Sequence, residues 1–129
     1  MIKNTEKTKK IFRIGIFGAW RGASFAPIFE SFDEFTIVAL CDKNVERARE
    51  ELGELYGRVK LCSDFDELLE SGIDAVVLCN YFHEHAECAI KALERGIHVF
   101  SETIAAPTPA LCVALCRAVE KSGCVYMLA

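Results

Sequence analysis

The chain has 129 residues, 52% of them apolar and 26% charged, with a formal net charge of −4. At this length folding buries about two-thirds of the unfolded surface, enough for one independent core, and the interspersed charges lack the Lys/Arg clustering that nucleic acid or a polybasic membrane surface demands. No stretch reaches the roughly 18 uninterrupted apolar residues of a membrane span, and seven scattered cysteines, an odd count, are expected as reduced thiols of a cytoplasmic protein.

Residues 1–10 are polar and basic, carry no signal-peptide pattern, and are expected to form a mobile tail ahead of one domain over 11–129. Apolar runs of strand length then alternate with segments of helical period. Ile11–Phe17, Phe35–Cys41, Val59–Cys62, Ile73–Cys79, His98–Phe100 and Cys124–Leu128 are predicted strands, mostly continuous in apolar character as parallel strands buried on both faces must be. Between them lie the stripes Val45, Ala48, Leu52, Leu55, then Phe65, Leu68, Leu69, then Ala86, Ala89, Ile90, Leu93, and finally Leu111, Ala114, Leu115, Ala118. Gly57, Gly72, Gly96 and Gly123 mark helix ends, and Thr108-Pro109 supplies an N-cap followed by proline at the first helical position. Pro27 is expected in a first turn capped by Ser24, because inside a helix it would forfeit a backbone bond. The pattern predicts an α/β fold of three layers: a doubly wound, parallel, six-stranded Rossmann-type sheet in the order 3-2-1-4-5-6.

The first strand ends in a glycine turn, Gly15-Ile16-Phe17-Gly18-Ala19-Trp20-Arg21-Gly22, and Asp42 closes the second. Backbone N–H groups at such a turn, with the dipole of the helix that follows, can hold a pyrophosphate. The 24-residue interval from Gly18 to Asp42 is close to the roughly 20 at which a carboxylate reaches an adenosine ribose. Together they predict a dinucleotide site, whereas Gly15 and Gly18 by themselves are also explained by close strand-helix packing. An ionised Asp42 repels a 2′-phosphate by about 4 kcal/mol at 4 Å and an effective dielectric near 20, which favours NAD over NADP. Lys43 and Arg47 would compensate if the carboxylate turned away, so NADP stays possible.

His83, Glu84, His85 and Cys88 do not read as a metal site, because only His85 and Cys88 share a helix face. Cys112 and Cys116, one turn apart, are expected as small buried hydrophobes, and His98 as a structural residue within its strand.

From Ile11 to Ala129 the chain resembles the N-terminal domain of the glucose-fructose oxidoreductase, inositol 2-dehydrogenase and rhizopine-catabolism family (Gfo/Idh/MocA). The resemblance is carried by Ile14-Gly15-Ile16-Phe17-Gly18, Val38-Ala39-Leu40-Cys41-Asp42, Ile73-Asp74-Ala75-Val76-Val77-Leu78-Cys79-Asn80, His83-Glu84-His85-Ala86 and Gly96-Ile97-His98-Val99-Phe100-Ser101-Glu102. It implies reversible hydride transfer between NAD(P) and sugars, polyols or related hydroxy compounds. Gly18, Ala19, Trp20, Arg21 and Gly22 would border the pyrophosphate, and Asp42 and Lys43 the adenosine ribose. Cys79, Asn80, Tyr81 and His85 would line the fourth-strand exit, and Glu102 and Thr103 the nicotinamide side. No catalytic residue and no metal ligand is assigned.

Two departures from the family pattern stand out. Trp20 occupies the second glycine position, where either Arg21 grips phosphate while the indole turns aside or covers the cofactor, or Trp20 packs on the sheet edge. The family's Glu-Lys-Pro appears as Glu102-Thr103-Ile104, so the ammonium near the reacting atoms is replaced by a hydroxyl that does not ionise near neutral pH. The second, substrate-binding domain of the family is expected to be absent, leaving a cofactor domain not competent for turnover alone. It would meet a small polyhydroxylated substrate only together with that domain. A non-catalytic NAD-binding or sensing module and another nucleotide-fold enzyme such as a methyltransferase are the alternatives. An uncovered sixth-strand edge predicts weak dimerisation.

Overall fold

The computed structural model describes residues 8–129, so residues 1–7 of the expected tail lie outside the described residues. Within the remainder of that tail, Lys9 pairs with Glu34, and Lys10 with Asp74 at 3.3 Å. Six strands, β1 (Phe12–Phe17), β2 (Phe35–Cys41), β3 (Lys60–Cys62), β4 (Ala75–Leu78), β5 (His98–Ser101) and β6 (Tyr126–Leu128), form one sheet in the order β3-β2-β1-β4-β5-β6, every pairing parallel. Five α-helices connect them: α1 (Ala19–Glu30), α2 (Val45–Leu52), α3 (Phe65–Leu69), α4 (His85–Glu94) and α5 (Pro109–Ser122). The predicted class, layering and strand order are those observed.

The period of two in the central strands sorts the core into two layers. Ile14 and Ile16 of β1 and Val77 of β4 pack with Ile37, Leu40, Ala26 and Ala48 under α1 and α2. Phe17, Val76 and Leu78 face the other way, onto Leu68, Leu69, Ala89, Leu93 and Leu115 of α3, α4 and α5. Strand ends are shorter than the apolar runs suggested: Ile73, Cys79, Cys124 and Val125 are outside the paired segments. Cys79 and Val125 still each share one hydrogen bond with the adjacent strand, Cys79 N–H to the Phe17 carbonyl at 2.8 Å and the Val125 carbonyl from Val99 N–H at 2.9 Å.

Two expectations are corrected. Helix α1 begins at Ala19 with Gly18 as N-cap, not at Ser24, and Pro27 therefore lies inside it. The turn itself is the helix start, and Pro27 leaves the Ala23 carbonyl without its intrahelical N–H donor. Cys112 and Cys116 are exposed rather than buried. Helix α5 lies at the β6 edge with only Leu115 fully buried, so its period is apolar on faces that nothing among the described residues covers. His98 has the structural role expected of it: its Nδ1 accepts the Val125 N–H at 2.9 Å, tying β5 to the start of β6.

Candidate functional site

A cleft of about 540 Å³ opens at the carboxyl ends of β1, β2, β4 and β5, where the chain switches direction across the sheet. It is lined by Phe17, Trp20, Arg21, Asp42, Lys43, Asn44, Arg47, Cys79, Asn80, Tyr81, Phe82, Glu84, His85, Glu102 and Thr103. In an open parallel sheet this crevice is where ligands bind, and the volume suits a small organic molecule. Ten of the thirteen candidate residues therefore meet at one wall-to-wall site. The other three, Gly18, Ala19 and Gly22, build the turn beneath it.

The turn is tight for steric reasons. Gly18 has φ +96°, and a Cβ there would sit 2.4 Å from the Cys79 carbonyl oxygen, so β1 and β4 close on each other only at a glycine. Gly22 faces down instead, where a Cβ would come within 2.5 Å of Ile16 Cγ2. It is the residue that lets α1 lie on β1, not one that borders the cleft.

Asp42 has a second task that spacing did not reveal. Its Oδ2 accepts the Ala19 N–H at 2.6 Å and its Oδ1 the Asn44 N–H at 2.7 Å. Gly18 has no side chain to cap α1, so this carboxylate from the end of β2 caps the helix across the sheet and holds the turn to the neighbouring strand. Asn44 in turn caps α2, accepting the Arg47 N–H at 3.0 Å.

Trp20 does not pack on the sheet edge. The residue is 61% exposed at the cleft mouth, with the Arg47 guanidinium 4.6 Å from its ring centroid. Arg21 reaches the other way, donating from Nε to Glu102 Oε1 at 2.6 Å and lying over Phe25. Lys43 pairs with Glu84 at 3.1 Å and lies over the Tyr81 ring. That pairing keeps the Lys43 ammonium above its ordinary pKa. Burial pulls Glu84 upward, but the Asn80 amide and Lys43 outweigh it and hold the carboxyl below its ordinary value.

His85 opens α4 and is almost fully buried. Its Nε2 is 3.0 Å from the Asn80 carbonyl and its Nδ1 is 3.2 Å from the Ile104 carbonyl, so the ring bridges the loops after β4 and β5. Asn80 donates to Glu84 at 3.0 Å, while its Oδ1 is buried with no hydrogen-bond partner among the described residues. Cys79 is pushed up to about 12 by burial and by Glu102, which keeps its thiol protonated. Sequence reasoning missed Asn44 and Phe82 as lining residues, and left Phe17, Arg47 and Glu84 outside the candidate set.

The residues fit a dinucleotide. Asn80 Oδ1 is buried without a donor, and Arg47, on the cleft wall, makes no ion pair among the described residues. No helix among the described residues is long and apolar enough to cross a membrane.

Comparison with known proteins agrees. Residues 12–129 match the model of an oxidoreductase family described as having an NAD-binding Rossmann fold. Myo-inositol 2-dehydrogenase from Thermotoga maritima is 34% identical over 92 residues, which are 70% of this chain and 27% of that protein. The structure of a probable dehydrogenase from Thermotoga maritima superimposes with a TM-score of 0.82 at 28% identity, over 91% of this chain and 35% of that one. The WlbA dehydrogenase of Bordetella pertussis, solved in complex with NADH and UDP-GlcNAcA, shares the fold at 24% identity and a TM-score of 0.83, over 95% of this chain and 36% of that one. The chain thus spans about a third of the length of the relatives it matches. From Phe12 to Ala129 it belongs to the Gfo/Idh/MocA oxidoreductase family, of which it forms the NAD-binding Rossmann domain.

Proposed function

We propose that this chain binds NAD(H) as the cofactor half of an oxidoreductase acting on a sugar, polyol or related hydroxy compound, and that it does not turn over substrate alone. The observation that carries the reading is the convergence of Asp42, Asn80, Arg21 and Glu102 on one cleft at the switch point of the sheet. When bound, the nicotinamide would supply the hydride acceptor or donor. The chain's own residues bind and orient. The turn after Gly18 and the Arg21 guanidinium would hold the pyrophosphate, Asp42 the adenosine ribose, Asn80 Oδ1 a donor group, and Glu102 the second ribose. Asp42 favours NAD through repulsion of a 2′-phosphate.

Thr103 supports the absence of turnover. It lines the cleft where the family pattern has lysine, and its hydroxyl cannot act as an acid or base near pH 7. A substrate-orienting part, of the kind the family's second domain supplies, would have to complete the pocket and exclude water. The same residue favours a second reading, a module that binds NAD without chemistry. The buried thiols suit a reducing, cytoplasmic setting.

Calorimetric titration of the chain with NADH and with S-adenosylmethionine tests the reading, followed by a search for NADH production from myo-inositol and NAD. NADH is expected to bind, S-adenosylmethionine is not, and no turnover is expected. Binding of S-adenosylmethionine without NADH would overturn the dinucleotide reading, and steady NADH production would overturn the claim of inactivity.

A further inference from the structure

Helix α5 presents two thiols that the cofactor reading does not use. Cys112 and Cys116 are both exposed, and neither lines the dinucleotide cleft. At an interval of one turn they share a helix face, with Cβ atoms about 5–6 Å apart. A zinc–thiolate bond is about 2.3 Å long, so two sulfurs bound in a line to an ion of similar size are about 4.6 Å apart, a span this pair can close. Tyr126 of β6 packs against the core cluster that contains Leu115 of α5, and its hydroxyl is buried with no hydrogen-bond partner among the described residues. Burial raises this phenol above its ordinary pKa, and negative charge on Cys112 or Cys116 raises it further, so both thiols lie within its electrostatic reach. A buried O–H without an acceptor is costly, and this one gains an acceptor when a nearby sulfur becomes an anionic thiolate.

We propose that Cys112 and Cys116 chelate a soft, thiophilic cation that takes two ligands in a line, monovalent copper. Ligand number sets the class of ion. Among the described residues no three His, Cys, Asp or Glu side chains are grouped to hold a metal, so the four donors of structural zinc and the oxygen cage of calcium are both lacking. Paired thiolates instead suit Cu(I). Binding breaks two S–H bonds, forms two Cu–S bonds and releases two protons to water. The copper enters and stays as Cu(I), so no electron is transferred. The resulting dithiolate complex has a net negative charge, which the Tyr126 O–H meets by donating to sulfur, as outer-shell donors do in metal sites. Two thiols preorganised on one helix bind as a chelate, an advantage that separate thiols such as glutathione lack.

The test titrates the reduced full chain with Cu(I) under anaerobic conditions, against a chromophoric Cu(I) chelator and excess glutathione. One ion per chain is expected, with a thiolate-to-copper band in the ultraviolet and sulfur as the sole ligand type in X-ray absorption. Cys112→Ser and Cys116→Ser are each expected to weaken binding by about hundredfold or more, and Tyr126→Phe by about tenfold, the loss of an outer-shell partner. Cys124→Ser removes a thiol outside the pair and is expected to leave the affinity unchanged, and Zn(II) is expected to bind far more weakly than Cu(I). Both cysteines are exposed, so serine there leaves the core intact, and thermal melts verify that Tyr126→Phe folds. Failure to take Cu(I) from glutathione, one ion shared between two chains in sedimentation, or undiminished affinity in the Cys112→Ser/Cys116→Ser double variant overturns the site. Undiminished affinity in Tyr126→Phe overturns the part assigned to the phenol.

Discussion

Replacing Asp42 separates its structural task from the ribose contact proposed for it. The carboxylate satisfies two backbone donors, one on Ala19, which is fully buried, and one on Asn44, which is exposed. In Asp42→Asn the side chain keeps one acceptor and gains a donor that cannot face a second N–H. The oxygen will turn to Ala19, because water can serve Asn44, and the loss is one exchange of a charged for a neutral contact, about 1–2 kcal/mol. In Asp42→Ala the buried Ala19 N–H is orphaned as well and α1 loses its cap, giving about 2–4 kcal/mol in total. Urea denaturation followed by far-UV circular dichroism measures both. At an m of about 2 kcal/mol/M, the alanine variant should shift the midpoint by about 1–2 M, and the asparagine variant by about half as much. A loss below about 0.5 kcal/mol for Asp42→Ala, or an asparagine variant at least as damaged as the alanine one, would refute the capping argument. Dinucleotide affinity measured on the same variants must be corrected for this loss before any of it is ascribed to the ribose.

Two further outcomes follow from local geometry. Gly18→Ala should cost about 3–5 kcal/mol, since it combines a strained φ of +96° with backbone overlap at 2.4 Å, whereas Gly53→Ala, at φ +51° with nothing within 4 Å, should cost about 1–2 kcal/mol; equal losses in chemical denaturation would contradict the steric account. Glu67, whose carboxylate accepts the Ser63 N–H and hydroxyl at 2.8 Å, is held down to about 2, chiefly by the backbone bond. A depressed carboxyl stabilises fully above its unfolded value near 4.5 and loses that contribution as pH falls through its folded value. The stability difference between wild type and Glu67→Gln should therefore be constant above about pH 5.5 and shrink between pH 4.5 and 2, and a difference that does not vary with pH would remove the assignment.

The layers and strand order were legible because a doubly wound sheet writes itself in alternation: apolar runs too short for helices, separated by stripes of helical period. The Gly18–Asp42 interval was legible for the same reason, since it spans one βαβ unit. What stayed hidden depends on contacts between residues far apart in the chain. Arg21 and Glu102 are 81 residues apart, and Lys43 and Glu84 are 41 apart; neither pairing leaves a periodic trace. The start of α1 was misplaced because a glycine N-cap carries no local signal when its cap is Asp42, 23 residues beyond Ala19. Cys112 and Cys116 were misplaced for a different reason. Periodicity states which residues share a helix face, but at a sheet edge it does not state that the face is covered.

The pairs across the cleft bear on how it admits a ligand. Arg21–Glu102 joins the turn after β1 to the loop after β5, and Lys43–Glu84 joins the loops after β2 and β4. In both pairs the cation is at least half exposed, with side-chain exposures of 51% and 65%. Such pairs contribute about 0–1 kcal/mol to stability, because water and salt screen them. Their value lies in geometry, since each fixes a long side chain at the rim of the cleft. Each is also weak enough to be exchanged: in the proposed binding mode a pyrophosphate oxygen would replace Glu102 on Arg21 and free that carboxylate for a ribose hydroxyl. A cleft held by strong buried pairs would resist such exchange, and one without pairs would order these side chains only on binding, with the entropy loss subtracted from affinity. The weak pairs seen here avoid both, and they do so with residues whose type the sequence displayed and whose partners only the fold could assign.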